Sequence, residues 1–269
     1  MKSTQIVFDR LVAQNYDDLL GPFIFEPFAI NLVGNIDSKQ LQNVLEIACG
    51  TGRVTKHLRK VLPYDARLTA TDLNDGIIAV AKQKMPLNTI VWDTADMINL
   101  EYNDECFDLI VCQFGVMFAP DKDKAFAEMY RVLKNGGRLI FNTWTNIINN
   151  KPFLLTNRVV NSFLGKEPVT IFKEGPFSMD DEMAVLQLLK SSGFKDNTVK
   201  AVTILCSIES AEDAARGLIT GLPTLNIIQD KIPHLLPAII EALQKEFISK
   251  LGNHPLQASL SAWEFRAVK

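Results

Sequence analysis

From residue 43 onward, short apolar runs alternate with amphipathic helical stretches, and few architectures accommodate that rhythm. Two parallel strands need a crossover between them, and a helix lying on the sheet supplies it. The apolar runs fall at residues 43–48, 67–71, 89–92, 107–112 and 138–143. The run at 107–112, FDLIVC, shows no alternation, as expected of a strand covered on both faces. Between the runs the sequence predicts helices at 53–61, stopped before Pro63, at 75–84, closed by Pro86, and from Asp121 as cap to Leu133. Asn135-Gly136-Gly137 is expected to end that last helix with residues of positive φ.

After Trp144 the rhythm breaks. Helices are expected near 152–164 and 180–191, around a stretch holding Pro168, Gly175, Pro176 and Phe177. Residues 198–208 and 258–268 alternate like strands, with a short helix near 210–220 and a longer one near 233–250 between them. Residues 9–34 read as two helical segments divided at Gly21-Pro22, carrying Leu11, Val12, Tyr16, Leu19, Phe23, Phe25 and Phe28. The expected fold is α/β, a doubly wound and mostly parallel seven-stranded sheet with a helical cap. One domain over residues 1–269 is expected, with 1–40, 145–195 and 209–255 as cap and substrate-side elements.

Composition removes several function classes. Net charge is −3 and the isoelectric point about 5.7, so no basic field attracts nucleic acid or anionic lipid. Cys49, Cys106, Cys112 and Cys206 include no C-x-x-C pair, and His57, His234 and His254 are scattered, which argues against a zinc site or a disulfide framework. The opening MKSTQIVFDRLVAQ lacks the apolar core of a signal peptide, and no run reaches membrane-span length. A reducing cytoplasm is the expected location.

The chemistry concentrates where the first strand becomes a helix, at Glu46-Ile47-Ala48-Cys49-Gly50-Thr51-Gly52. Gly50 and Gly52 permit a sharp turn and close approach to a ligand, and the helix N-terminus behind them presents N–H groups. A G-x-G of this kind serves equally well as an ordinary turn. Three features sharpen it. Glu46 sits in an apolar strand near its carboxyl end, where a cationic ligand suits it and a pyrophosphate does not. Thr55 stands where a third glycine of G-x-G-x-x-G would be. Asp72 ends the next strand, 72 − 52 = 20 residues after Gly52, a spacing that places a carboxylate beside a ribose diol.

The sequence resembles the class I S-adenosylmethionine (SAM)-dependent methyltransferases. VLEIACGTGRVT (44–55) is similar to their glycine-loop motif, ATDLNDGIIAVAKQK (70–84) to the acidic-loop motif and WDTADMINL (92–100) to the adenine-contacting segment. FDLIVCQFGVMFAPD (107–121) and RVLKNGGRLIFNTW (131–144) are similar to the fourth- and fifth-strand regions. Within the class, the bacterial type 11 small-molecule subgroup, related to the quinone C-methyltransferases, is the nearest in look. YDDLLGPFIFEPFA (16–29) is also similar to that subgroup, less specifically, and the region after 145 only in outline.

The resemblance implies a Rossmann-like fold and SAM as cofactor. It puts Gly50 and Gly52 against the methionine part, Glu46 near its amino group, Asp72 on the ribose hydroxyls and Leu73 on the adenine face. Asp96 would accept from the adenine amino group, the Met97 N–H would donate to the ring, and the Gln113 carbonyl would take the methionine ammonium.

Methyl transfer is an in-line displacement at a sulfonium with a good leaving group, so holding the nucleophile in line suffices and no general base is obligatory. None is identified in the sequence. The resemblance places the acceptor above the carboxyl strand ends, and Tyr16, Phe23, Phe28, Phe114, Phe118, Trp144, Phe172 and Phe177 are candidate lining residues, with Tyr16 the candidate lid. Together they favour a small, partly apolar organic acceptor. Nucleic-acid N-methyltransferases of this fold carry an Asn/Asp-Pro-Pro-aromatic motif where this chain has Gln113-Phe114-Gly115-Val116. Two alternatives stand beside the enzyme: a non-catalytic SAM-binding protein, whose pocket would read identically, and an NAD-dependent oxidoreductase, opposed by Glu46 and Thr55. Oligomeric state is open.

Overall fold

The computed structural model describes residues 14–165, 171–222 and 224–269. Its centre is a seven-stranded sheet. In chain order the strands are β1 (Asn43–Ile47), β2 (Arg67–Asp72), β3 (Ile90–Thr94), β4 (Phe107–Gln113), β5 (Leu133–Trp144), β6 (Lys195–Ile208) and β7 (Leu256–Val268). Across the sheet they run β3-β2-β1-β4-β5-β7-β6. The first five are parallel, and β7 lies antiparallel to β5, from Arg138 opposite Val268 to Trp144 opposite Ala262. The expected doubly wound sheet is therefore present. The order reverses between β1 and β4, and ligands of such sheets bind in the crevice at the carboxyl strand ends beside that switch point.

The chain divides into two compact units. The sheet unit comprises residues 28–146, 175–203 and 261–269. Its crossovers are α2 (Arg53–Val61), α3 (Asp75–Lys84) and α4 (Lys122–Val132), preceded by α1 (Glu26–Gly34). Val44, Leu68, Leu109 and Ile140 on the sheet pack with Leu32, Val54, Leu58 and Ile78 from the helices, all almost fully buried. Near-complete removal of such side chains from water stabilises by about 1.5–3 kcal/mol each. Among the described residues, the helical unit comprises 14–27, 147–165, 171–174, 204–222 and 224–260. It holds α5 (Lys151–Leu164), α6 (Ile171–Glu174), α8 (Ala211–Thr220), α9 (Thr224–Lys231) and α10 (Leu236–Leu251), while α7 (Glu182–Ser191) belongs to the sheet unit.

Three expectations need correction. The chain stays helical through Gly21-Pro22: residues Tyr16–Phe25 form a π-helical run, with the Glu26 N–H bonded to the Gly21 carbonyl. Pro22 lies inside that run, which continues although proline's missing N–H costs it one bond of the ladder. Of the segment before it, residues 9–13, with Leu11 and Val12, lie outside the described residues. Next, α4 ends at Val132 and β5 begins at once, because Leu133 already pairs with Phe107. Pairing then jumps to Arg138 opposite Leu109, so Lys134–Gly137 bulge out, with Gly136 alone of the three expected residues at positive φ (76°). Finally, α9 was not anticipated; the helix expected near 233–250 is present, a 3-10 turn at Pro233–Leu235 leading directly into α10.

Candidate active site

β1 ends at Ile47, and three of the next five residues take left-handed backbone: Ala48 (φ 56°), Gly50 (54°) and Gly52 (84°). For Ala48 that conformation costs about 1–2 kcal/mol. The turn is held from β2: the Cys49 N–H donates to the Thr71 carbonyl (2.8 Å) and the Gly50 N–H to Asp72 Oδ2 (2.9 Å). Gly52 caps α2, and a Cβ there would stand 2.3 Å from Met85 Cε. Gly115, beyond β4, faces the turn so closely that a Cβ would lie 2.4 Å from the Ala48 Cβ.

The turn carries two acids. Glu46 is 2 % exposed, and its Oε2 has no hydrogen-bond partner among the described residues. Burial pushes its carboxyl up to about 8; Thr55 pulls against that and the neighbouring Asp72 adds to it. Asp72 is also raised by burial, against the pull of the Asn74, Gly50 and Leu73 amides. Its Oδ1 accepts the Asn74 N–H (3.0 Å), while Asn74 caps α3 through Gly76 and Ile77. Asp72 is thus left to the loop and Asn74 does the capping. A carboxylate has about four lone-pair sites, so two amide contacts leave acceptor capacity for a diol. Leu73, beside it, is 65 % exposed, unusual for leucine and suited to covering a flat ring.

One strand further out, the Ala95 N–H donates to the Asp72 carbonyl (3.0 Å). Asp96 and Asn99 bridge across a tight turn with Met97 at its tip, and Asp96 Oδ1 accepts the Ile98 N–H (3.1 Å). On the other side of β1, Gln113 closes β4 and Phe114 turns left-handed (φ 52°), its N–H donated to Asn142 Oδ1 (2.9 Å). Glu46, Gly50, Gly52, Asp72, Leu73, Asp96, Met97 and Gln113 therefore fall at the carboxyl ends of four strands adjacent in the sheet. Ala48, Gly115 and Asn142 complete the geometry but were not singled out from sequence. Only Asn142 carried a signal, as a polar residue within an apolar strand run.

A protein-family model described as a methyltransferase domain matches residues 45–141. The ubiquinone/menaquinone biosynthesis C-methyltransferase UbiE of Psychromonas ingrahamii is 38% identical over 37% of this chain, which spans 41% of that relative. The UbiE protein of Hydrogenovibrio crunogenus is 29% identical over 79% of this chain and 84% of its own length. Phosphoethanolamine N-methyltransferase 2 of Haemonchus contortus, solved with phosphomonomethylethanolamine and S-adenosylhomocysteine, shares the fold (TM-score 0.58, 18% identity, 96% of this chain and 56% of that one). Residues 45–141 thus match a methyltransferase domain, on a fold shared with a solved methyltransferase.

The aromatic candidates separate into groups. Phe114 stacks on Trp144 (3.9 Å between centroids, 9°), Phe28 stands edge-on to both at 5.3 Å, and Phe177 lies 6.4 Å from Trp144. All four are buried in the sheet unit, while Phe118 is largely exposed. Tyr16 stacks on Phe25 (4.7 Å) and Phe172 packs edge-on against Phe153, both pairs in the helical unit with buried Phe23. Cys49, Cys112 and Cys206 are buried free thiols, and burial drives that of Cys112 up to about 12, far from a reactive thiolate. His57 is half-buried on α2, and His234 and His254 are exposed. Among the described residues no three metal-ligating side chains gather, and no helix is long and apolar enough to cross a membrane. An open cleft of about 310 Å³ lies at the opposite, amino end of the sheet, around Asp37, Gln40, Asp108 and Lys134 to Arg138, away from every residue named above as a cofactor contact.

Proposed function

We propose that this methyltransferase moves the SAM methyl group onto a small, partly apolar organic acceptor, with a quinol-type ring the favoured class. The observation that carries the cofactor side is the buried acid pair, Glu46 with an unpartnered oxygen beside Asp72, at the glycine turn. Such a pair repels a pyrophosphate and suits a ligand bearing a sulfonium and an ammonium. Its fit to SAM follows: Glu46 and the Gln113 carbonyl toward the amino-acid ammonium, Gly50 and Gly52 along the methionine chain, Asp72 on the ribose diol. Leu73 would cover the adenine face, with Asp96 and the Met97 N–H at its edge. SAM, when bound, supplies an electrophilic methyl on a good leaving group. The residues of this chain bind, orient and keep water away, which is the whole requirement of an in-line displacement. The acceptor class is supported by the relatives named for ubiquinone and menaquinone biosynthesis C-methylation.

Thermal denaturation with SAM, S-adenosylhomocysteine and NAD tests the cofactor assignment. The first two should raise Tm through mass action and NAD should not. Turnover with quinols, phenols, amines and carboxylic acids tests the acceptor class. SAM binding with no turnover on any of them overturns the proposed activity.

A further inference from the structure

The Asp96–Asn99 turn contains the two groups that would read the adenine edge, and its own hydrogen bonds are supplemented by an anchor outside it. That anchor lies on α4. Glu128 Oε2 accepts the Leu100 N–H at 2.8 Å, and Arg131 Nη2 donates to the Leu100 carbonyl at 2.7 Å. Both polar groups of one peptide-chain position, directly after the turn, are therefore gripped by two side chains one helical turn apart. Arg131 is itself locked, with Nε and Nη2 donating bidentately to Glu128 at 2.8 Å each. Its Nη1 holds the Tyr102 carbonyl (2.8 Å) and Asp104 Oδ1 (2.7 Å). Tyr102 then reaches back to Asp93 on β3 (2.8 Å).

The segment 93–104 is thus closed into a loop whose far side is nailed to α4 and whose near side is tied to β2 through Ala95. The pairing with Glu128 holds the Arg131 guanidinium well above the usual range, and the same pairing keeps the Glu128 carboxyl low, so both stay charged across neutral pH. Neither residue is exposed enough to be a solvated surface pair: Arg131 is 32% and Glu128 19% accessible.

We propose that Glu128 and Arg131 are positioning residues for base selection: by fixing Leu100 they set the Asp96 carboxylate and the Met97 N–H where only a purine with an exocyclic amine is accepted. This deepens the cofactor assignment above and rests on it. The physical reason is geometric. A carboxylate that accepts from an amine repels a carbonyl in the same place, but only while it cannot swing aside. A loosened turn lets Asp96 rotate away from the wrong base and weakens its hold on the right one. Discrimination therefore falls more than affinity.

The test compares S-adenosylhomocysteine with S-inosylhomocysteine, in which a carbonyl replaces the amine, by calorimetry on the full chain. The wild type should prefer the adenosyl compound by about 100-fold or more. Arg131→Ala should cut that ratio about tenfold, and Arg131→Lys nearly as much, since an ammonium cannot bridge Glu128, Leu100 and Tyr102 together. Glu128→Gln, which keeps the shape and the acceptor for Leu100, should lower it less and serves if Arg131→Ala does not fold. A residue that merely stabilises the protein would weaken both ligands alike, so an unchanged ratio in folded variants overturns the inference. If the wild type binds neither compound, the cofactor assignment itself has failed; if it binds both equally, the placement of the adenine edge has failed and this inference with it.

Discussion

β1 and β4 carry an acid at opposite ends of the sheet, Glu46 buried and Asp108 partly exposed, and the two are treated in opposite ways. At the amino end Asp108 accepts the Gln42 and Asn43 N–H groups (3.0 and 2.7 Å) through one oxygen and Lys134 Nζ (2.6 Å) through the other. Burial raises its carboxyl, but Lys134 and those two amides outweigh it and the net shift is downward. At the carboxyl end Glu46 has an oxygen with no partner and is pushed up to about 8. In the amino-end cleft the Asp108 and Lys134 charges answer one another. The carboxyl-end turn is small, strained and electrostatically incomplete, and such incompleteness marks a place that awaits a ligand.

The contrast is best broken by mutating both ends. Asp72→Ala should weaken SAM binding about 100-fold or more, since two ribose contacts to a charged acceptor disappear at about 1.4 kcal/mol per factor of ten. It should also loosen the turn, because Gly50 and Asn74 lose their acceptor; Asp72→Asn limits that effect, and calorimetry on both separates the two contributions. Unchanged affinity in folded Asp72→Ala would show the ribose sits elsewhere. Asp108→Ala should do the reverse: a loss of about 2 kcal/mol in urea-unfolding stability, from two amides and a lysine left unanswered, with SAM affinity intact. If SAM affinity falls instead, the amino end is not merely structural.

Glu46 sharpens the comparison through pH. A carboxyl raised from 4.5 to about 8 in the folded, ligand-free protein holds a proton that the unfolded chain releases. Its contribution to stability is complete below about 4.5 and is lost as pH rises toward 8. A bound ammonium favours the ionised form, so SAM affinity should rise with pH, by up to about tenfold per unit, and level off above 8. Titrating Kd between pH 6 and 9 checks this, and Glu46→Gln should flatten the profile. A slope that persists in the variant assigns the proton to another group. The smallest effect is expected at Ala48→Gly, which removes left-handed strain and should add up to about 1 kcal/mol of stability. A loss there would mean that the Ala48 methyl, packed toward Gly115, contributes more than the strain costs.

Much of this was open to reading before any coordinates. Strand and helix positions from 43 to 132 follow from hydrophobic period, proline stops and caps, all interactions between near neighbours in the chain. The glycine turn, Glu46 and Asp72 were visible because a polar residue or a paired glycine stands out against an apolar run. What escaped depends on partners far away in sequence. Leu133 is a strand residue because Phe107 pairs with it. Gly21-Pro22 does not break its helix, and Gly217 and Gly221 of α8 let that run approach closely, a contact no window of sequence contains.

The division is physical. Local periodicity and backbone chemistry write the order and kind of the elements, so the fold was legible from residues alone. Charge state and strain are another matter, for they depend on what the folded chain brings alongside. A glutamate in a strand is a solvated anion, a paired ion or a protonated acid according to its neighbours. Here only the packing of β1 between β2 and β4 leaves Glu46 dry, next to Asp72, with an oxygen still to be answered.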